Sequence, residues 1–320
     1  MTTQTLSTQR WRWWQRLNRW FLIGGVIVLV ALSLIGIEAA RSFWPQQLYA
    51  HLSNRWTGDT APGQNIWLPA YQVVIDAKVV EQGLDNLSGI TYDYDRDRLL
   101  AITNGTPMEI LELSKQGDIQ ARYPLVGFQD TEGLAYLGNG RLAISDETLQ
   151  RLDVITLPAT PQPIQASQAQ WITLEINPTL HNKGFEGVTY DARHDRLYAI
   201  KERGPRQLFE VTGMLAALNG GPLHLTVSDR RDWVKRSIFA TDLSDGYYDP
   251  RTGHLLVLSD QSKNITELDG EGHFVSIRSL RAGIGGLRNN APQPEGMTMD
   301  SDGNLYVVSE PNLFYLFKKP

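Results

Sequence analysis

Glu132, Glu186, Asp245 and Glu295 each stand immediately before a glycine, and Ser88 holds the same place in a fifth copy of the pattern. The copies read Ser88-Gly89-Ile90-Thr91-Tyr92-Asp93, Glu132-Gly133-Leu134-Ala135-Tyr136, Glu186-Gly187-Val188-Thr189-Tyr190-Asp191, Asp245-Gly246-Tyr247-Tyr248-Asp249 and Glu295-Gly296-Met297-Thr298-Met299-Asp300. They follow one another at 44, 54, 59 and 50 residues. If the copies share an axis, four carboxylates converge on one opening. Crowded carboxylates repel, so they either take up protons, with pKa values pushed apart, or gather around a cation. An oxygen-only set in a chain with no cysteine favours a hard ion, and the wide, flexible shell of Ca²⁺ suits a ring better than that of Mg²⁺. Two other uses of these residues stay open. They can cap backbone N–H groups of a neighbouring repeat, as cement without a ligand, or they can work as general acids and bases, with Glu186 and Glu202 the candidates.

The elements that must position these groups are short strands. A period of this size with strand patterning throughout is the sequence form of a β-propeller blade. In each copy the apolar residues after the glycine form an inner strand. A turn rich in Asp, Asn and Gly follows, and a second strand returns over 98–103, 141–145, 196–201, 254–259 and 304–309. Third strands are expected over 109–113, 151–157, 206–211, 264–268 and 313–317, and fourth strands over 119–125, 171–176, 223–227 and 274–280. The fifth copy runs out of chain after its third strand. Residues 71–80 (YQVVIDAKVV) supply the missing outer strand and close the ring, which removes two open edges. The result is an all-β propeller of five four-stranded blades. Six blades is the alternative, but another blade needs about 40 residues that the gaps do not hold.

Hairpin pairing brings the end of each returning strand beside the residue before the glycine. The expected pairs are Ser88 with Asn104, Glu132 with Asp146, Glu186 with Glu202, Asp245 with Asp260, and Glu295 with Glu310. Glu132, Glu186, Asp245 and Glu295 are therefore the candidate metal ligands at the channel mouth. Ser88, Asn104, Asp146, Glu202, Asp260 and Glu310 stand around them.

Ahead of the repeats, residues 21–37 (FLIGGVIVLVALSLIGI) form an uncharged apolar run that, with Ala39 and Ala40, approaches the ~20 residues that span a bilayer. Arg10, Arg12, Arg16 and Arg19 precede it and Arg41 follows, an asymmetry that places the N-terminus in the cytoplasm and the propeller across the inner membrane. Trp11, Trp13, Trp14, Trp20 and Trp44 flank the run, as interfacial aromatic belts do. A cleaved signal peptide and a buried core helix are the other readings of this segment. Glu38 sits where a cleavage site wants a small residue. The expected organisation is a cytoplasmic basic and aromatic segment (1–20), a transmembrane signal anchor (21–40), a juxtamembrane linker without periodicity (41–69) and the propeller (70–320). The first 44 residues hold five of the 30 basic residues and one of the 35 acidic ones, so the remainder carries a net charge of −9 against −5 for the whole chain. Nucleic acid is excluded as a partner on that balance, since phosphate binding needs clustered Lys and Arg.

Other motifs are weaker. Asp93, Asp95 and Asp97 imitate an EF-hand start, but Arg98 and Asn104 stand where the loop needs Gly and Glu, so the segment reads as a turn. Gly283-Ile284-Gly285-Gly286 lacks the strand-to-helix setting of a phosphate cradle and reads as a mobile loop near the mouth. His181, Lys183, Lys201, Arg203, Arg206 and Lys263 can gather beside the acids and hold an anionic substrate, or can be solvated loop charges; Lys201, next to Glu202, is the one suggestive general acid. Asn86, Asn104 and Asn264 begin N-x-S/T triplets. No nucleophile motif of the Gly-x-Ser-x-Gly type occurs.

The stretches LSGITYDYDRDRLLAIT, QDTEGLAYLGNGRLAISDE, NKGFEGVTYDARHDRLYAIKER, LSDGYYDPRTGHLLVLSDQS and PQPEGMTMDSDGNLYVVSEPN together resemble the SdiA-regulated protein family. The resemblance covers residues 71–319. It implies a bacterial propeller behind one N-terminal membrane segment, on the outer side of the inner membrane, with a calcium ion, and it implies little about activity. Its Glu-Gly motifs correspond to Glu132, Glu186 and Glu295. The expected function is a membrane-tethered, extracytoplasmic binding module with Ca²⁺ at the channel mouth and an unidentified small-molecule or protein ligand. A metal-dependent hydrolase of the propeller lactonase, esterase or phytase type is the alternative, and a scaffold for protein partners is the third reading.

Overall fold

In each repeat the residues after the glycine form an inner strand that is buried along all or nearly all of its length, as Leu87–Asp93 is, because a neighbouring blade covers each of its faces. The computed structural model describes residues 5–174 and 184–320. Among them the strands form five antiparallel blades, ordered from the inside out. Blade 1 holds Leu87–Asp93, Arg98–Thr103, Glu109–Leu113 and Ile119–Val126, with the short strand Ile164–Gln165 added in parallel at its outer edge. Blade 2 holds Thr131–Gly138, Arg141–Asp146, Arg151–Thr156 and Gln170–Thr173. Blade 3 holds Gly187–Asp191, Arg196–Lys201, Gln207–Thr212 and Thr226–Asp229, and blade 4 holds Asp245–Asp249, His254–Ser259, Asn264–Leu268 and Phe274–Ser279. Blade 5 takes Gln293–Met299, Leu305–Glu310 and Leu313–Lys318 from the end of the chain and Gln72–Val79 from the start of the propeller.

The first strands touch one another in the cycle of blades 1, 2, 3, 4, 5 and back to 1. Five hydrophobic clusters fill the five interfaces. Leu100 and Ile102 of blade 1 meet Leu134 and Tyr136 of blade 2, while Leu99 and Ala101, one residue away on the other face, meet Tyr306 and Val308 of blade 5. Alternation along one strand thus feeds two different cores. The closing strand pairs Gln72 with Lys318 and Val79 with Leu313, with two register slips between them, after Val73 and after Ile75.

Blade 3 departs from the expected pattern at its outer edge. Helices Met214–Leu218 and Arg231–Ser237 flank the outer strand, which begins at Thr226 rather than near 223. Residues 175–176 of the expected strand in blade 2, with His181 and Lys183, lie outside the described residues.

The segment 41–69, expected as a linker, contains helix Trp44–Thr57. Residues Tyr49–Pro320 form one compact unit and Met1–Leu48 another. Within the larger unit, Ala50 and Asn54 lie one turn apart and are buried. Asn54 accepts from the Ile277 N–H (3.0 Å) and donates to the Val275 carbonyl (3.2 Å), which covers part of the outer edge of blade 4. Further on, the buried Glu267 carboxylate accepts the backbone N–H groups of Ile66 (2.7 Å) and Trp67 (3.0 Å). Two polar clamps at isolated positions leave no periodic signature in the sequence. The smaller unit is dominated by helix Thr5–Arg41, whose portion Ile23–Arg41 has a mean hydropathy of 2.3 and is long and apolar enough to cross a membrane.

Candidate functional site: an acidic channel mouth

The residue before each glycine is aimed by a β-bulge. In blade 1, Leu87 pairs with Thr103 but Gly89 pairs with Ile102, so Ser88 is the extra residue. The same slip leaves Glu295 unpaired between Pro294 and Gly296 in blade 5, and Glu132 within the break between Thr131 and Leu134 in blade 2. In blade 3 the Glu186 N–H reaches the Ile200 carbonyl (2.9 Å) although Gly187 is the residue opposite Ile200. A bulge bends the strand and redirects one side chain. It also brings the following residue against the next blade. A Cβ on Gly133 would lie 2.5 Å from the Glu186 carbonyl oxygen, so glycine is needed there for close approach.

Blade 4 corrects the sequence assignment. Here the Ser244 N–H reaches the Leu258 carbonyl (3.0 Å) while Asp245 stands opposite Leu258. Ser244, not Asp245, therefore occupies the position of Glu132, Glu186 and Glu295, and Asp245 takes the glycine position. The offset also fits the turn, since Asp249, like Asp191, stands at the strand end, opposite His254 as Asp191 is opposite Arg196. Alternation makes a one-residue slip decisive. Asp245 leaves the mouth, is 3% exposed, and accepts the Met297 N–H of blade 5 at 2.8 Å. Burial raises its pKa well above the ordinary value, and the groups that oppose the rise are backbone N–H donors. It is interblade cement and no longer a metal-ligand candidate.

A second correction falls in blade 2. Asn104 donates its N–H to Asn86, and the matching bond in blade 2 runs from Glu147 to Asp130, at 2.9 Å in both cases. Glu147 therefore takes the place expected for Asp146. Asp146 is fully buried and caps the following turn, accepting the Leu149 N–H at 2.9 Å. Burial raises its pKa against that bond. With both shifts applied, the mouth carries Ser88, Glu132, Glu186, Ser244 and Glu295 on the inner strands. Asn104, Glu147, Glu202, Asp260 and Glu310 stand at the ends of the returning strands.

The structure brings Glu132, Glu186 and Glu295 within electrostatic reach of one another. Burial first, then Asp130 and Glu147, push Glu132 up to about 8. Burial raises Glu186 well above the carboxylate range, reinforced by Glu132, Glu147, Glu202 and Glu295. Glu295 is pushed up to about 9 by burial and by Asp260, Glu310, Glu132 and Asp242. Glu202 rises to about 7 through burial, with Arg203 opposing and Asp242, Glu147 and Asp260 adding to the rise. Burial also raises Glu147, Asp260 and Glu310. Ser88, 1% exposed, donates its hydroxyl to the Asn86 carbonyl at 3.2 Å and stands close enough to Glu132 to hold its pKa back. The tightest group is Asp130, Glu132 and Glu147, which offer carboxylate oxygens all within 4.8 Å of one another. Asn104 Nδ2 donates to Asp130 (2.8 Å) and to Glu132 (2.5 Å).

Asp130, Glu147 and Asp242 were not anticipated. Asp130 was legible as an acid two residues before Glu132, and Glu147 as the cross-strand partner once the bulge is counted. Asp242 accepts the Gln261 N–H at 2.9 Å and the Ser259 hydroxyl, and nothing in the repeat signals it. The basic candidates are tied down. Lys201 is fully buried and donates to the carbonyls of Arg203 and Pro205, so it cannot act as a general acid at the mouth. Arg206 binds the carbonyls of Ile238 and Ala240. Arg203 pairs with Glu202 at 2.6 Å and Lys263 pairs with Asp260. Asp93 caps its own turn, accepting the N–H groups of Asp95 (3.1 Å) and Arg96 (3.2 Å), so the EF-hand look-alike is a turn. Asn264 is buried.

The model of the family described as SdiA-regulated matches residues 63–318. The chain belongs to the SdiA-regulated family. Among solved structures, this family member is similar to a luciferin-regenerating enzyme at 11% identity, covering 76% of this chain and 95% of that one with a TM-score of 0.46. A streptogramin B lyase matches at 10% identity over 77% and 97% of the two chains, TM-score 0.44. A virginiamycin B lyase from Staphylococcus aureus matches at 14% identity over 75% and 68%, TM-score 0.41.

Proposed function

We propose that this SdiA-regulated propeller is a membrane-tethered binding module whose mouth holds a divalent cation, with Ca²⁺ the ion of choice. The observation that carries the reading is the packing of Asp130, Glu132 and Glu147, whose oxygens lie within 4.8 Å of one another. Two oxygens on one Ca²⁺ sit at most about 5 Å apart, given Ca–O distances of ~2.3–2.6 Å. The donor set is all oxygen and has Glu186 as an acidic neighbour, so these residues fit the ion. Asp130, Glu132 and Glu147 would hold it, with Asn104 placed against two of them. A bound cation with coordination positions left over would take up carboxylate or phosphate groups of a ligand. In this reading the apolar helix is the tether, and the arginines ahead of it support a propeller on the outer side of the membrane.

The test is thermal melting of the full chain in neutral detergent, with Ca²⁺ or with chelator. A ligand at a hundred times its Kd stabilises by about 2.7 kcal/mol, so a clear rise in Tm is expected with Ca²⁺. Identical curves would remove the cation. A hydrolase reading draws support from Glu202, held near 7 at the same mouth, where a general base works at neutral pH.

A further inference from the structure

A groove of about 490 Å³ lies between helix Trp44–Thr57 and the outer strands of blades 4 and 5. Its lining includes His51, Arg55, Gln72, Arg278, Ser279 and Gly285, and no Asp or Glu among the described residues lines it. Arg278, 5% exposed, is a guanidinium without a carboxylate partner among the described residues. It donates to the carbonyls of Tyr71 and Gly285, both at 2.6 Å, and lies 4.4 Å from the centre of the Phe317 ring. Its Nε has no hydrogen-bond partner. Burial lowers its pKa to about 10. A buried cation with no counter-charge is costly, and an anion in the groove relieves that cost. The volume falls within the ~300–1,000 Å³ of small-molecule sites. The Gly-rich stretch 283–286 is one wall of this groove, with Arg278 fixing Gly285.

The helix carrying His51 and Arg55 turns Ala50 and Asn54 toward the propeller. It leaves Tyr49, Leu52 and Trp56 on its outer face, 71%, 37% and 77% exposed. Those three are spaced i, i+3 and i+7, the stripe of an amphipathic helix lying in a membrane interface. Arg41, the end of the apolar span, is ten residues before His51, and ten residues reach at most about 35 Å.

We propose that this groove binds the phosphate headgroup of an anionic phospholipid while the Tyr49, Leu52 and Trp56 face enters the same leaflet. The site is separate from the acidic mouth, and it rests on the reading of the N-terminal helix as a membrane anchor. The test places the full chain in nanodiscs of phosphatidylcholine, with or without one third phosphatidylglycerol, and follows amide hydrogen exchange. Phosphatidylglycerol is expected to slow exchange at residues 277–286 about fivefold or more, an effect lost in Arg55→Gln, a change at an exposed side chain. Arg278→Lys, which keeps the charge but loses the planar fork, should weaken it as well. Equal exchange in both lipids, or a lipid effect that survives Arg55→Gln, would overturn the site. Equivalent slowing by glycerol 3-phosphate in phosphatidylcholine discs would overturn the headgroup in favour of a soluble phosphate ester. Failure of the chain to insert into either disc would overturn the anchor and the site with it.

Discussion

Replacing Glu132 with Gln should stabilise the cation-free protein at alkaline pH and leave it nearly unchanged at pH 5. In the folded chain Glu132 keeps its proton up to about 8, against 4.5 for a free glutamate. Between those values the unfolded chain has released the proton and the folded chain has not. Unfolding then releases a proton, so stability falls as pH rises through the window and levels off above about 8. The difference between 4.5 and about 8 corresponds to at most about 5 kcal/mol, a large share of the ~5–15 kcal/mol that holds a domain together. Gln keeps an oxygen for the Asn104 N–H now donated to Glu132 and has no charge to bury. With chelator present, wild type should lose roughly 10 °C or more in Tm between pH 5.5 and 8.5, and Glu132→Gln should lose much less. Ca²⁺ at pH 8.5 should restore wild type and leave the variant unmoved, because the ion does for the carboxylates what the proton does at low pH. Urea or thermal unfolding followed by tryptophan fluorescence measures both effects. Parallel pH profiles for the two proteins would refute the reasoning, since they would mean that Glu132 ionises as freely in the folded chain as in the unfolded one.

Asp245→Asn should change stability by less than about 1 kcal/mol at neutral pH, because burial disfavours the charged carboxylate and raises its pKa, and Asn can still accept the Met297 N–H. Asp245→Ala strands that donor and should cost about 1–3 kcal/mol; equal losses in the two variants, read by urea unfolding, would contradict the cement role. If the mouth is a hydrolytic centre, wild type should turn over at least one substrate in panels of lactones, aryl esters and phosphomonoesters when Ca²⁺ is present. Glu202→Gln should then abolish that turnover without altering Ca²⁺ binding, and silence across all three panels leaves the binding module alone.

The propeller was written in the sequence. Five copies at blade-sized spacings, an orphan strand ahead of the first and a missing strand after the last leave one way to cover every edge. The strands alternate, so each feeds two interblade cores, and that requirement is visible residue by residue in Leu99, Leu100, Ala101 and Ile102. The convergence of Glu132, Glu186 and Glu295 followed from the same repetition. What the sequence did not settle was register at single positions. A Ser-Asp-Gly in blade 4 and an Asp-Glu pair in blade 2 each offer two alignments one residue apart. In a strand that residue decides between the mouth and the blade interface. Only the bulges and the cross-strand pairing chose Ser244 over Asp245 and Glu147 over Asp146. The tertiary structure also decided the fate of residues 49–70, because the side chains of Asn54 and Glu267 dock that segment by accepting backbone N–H groups of residues some 200 positions away. Contacts of that kind depend on where a folded edge is left open, which no local pattern records.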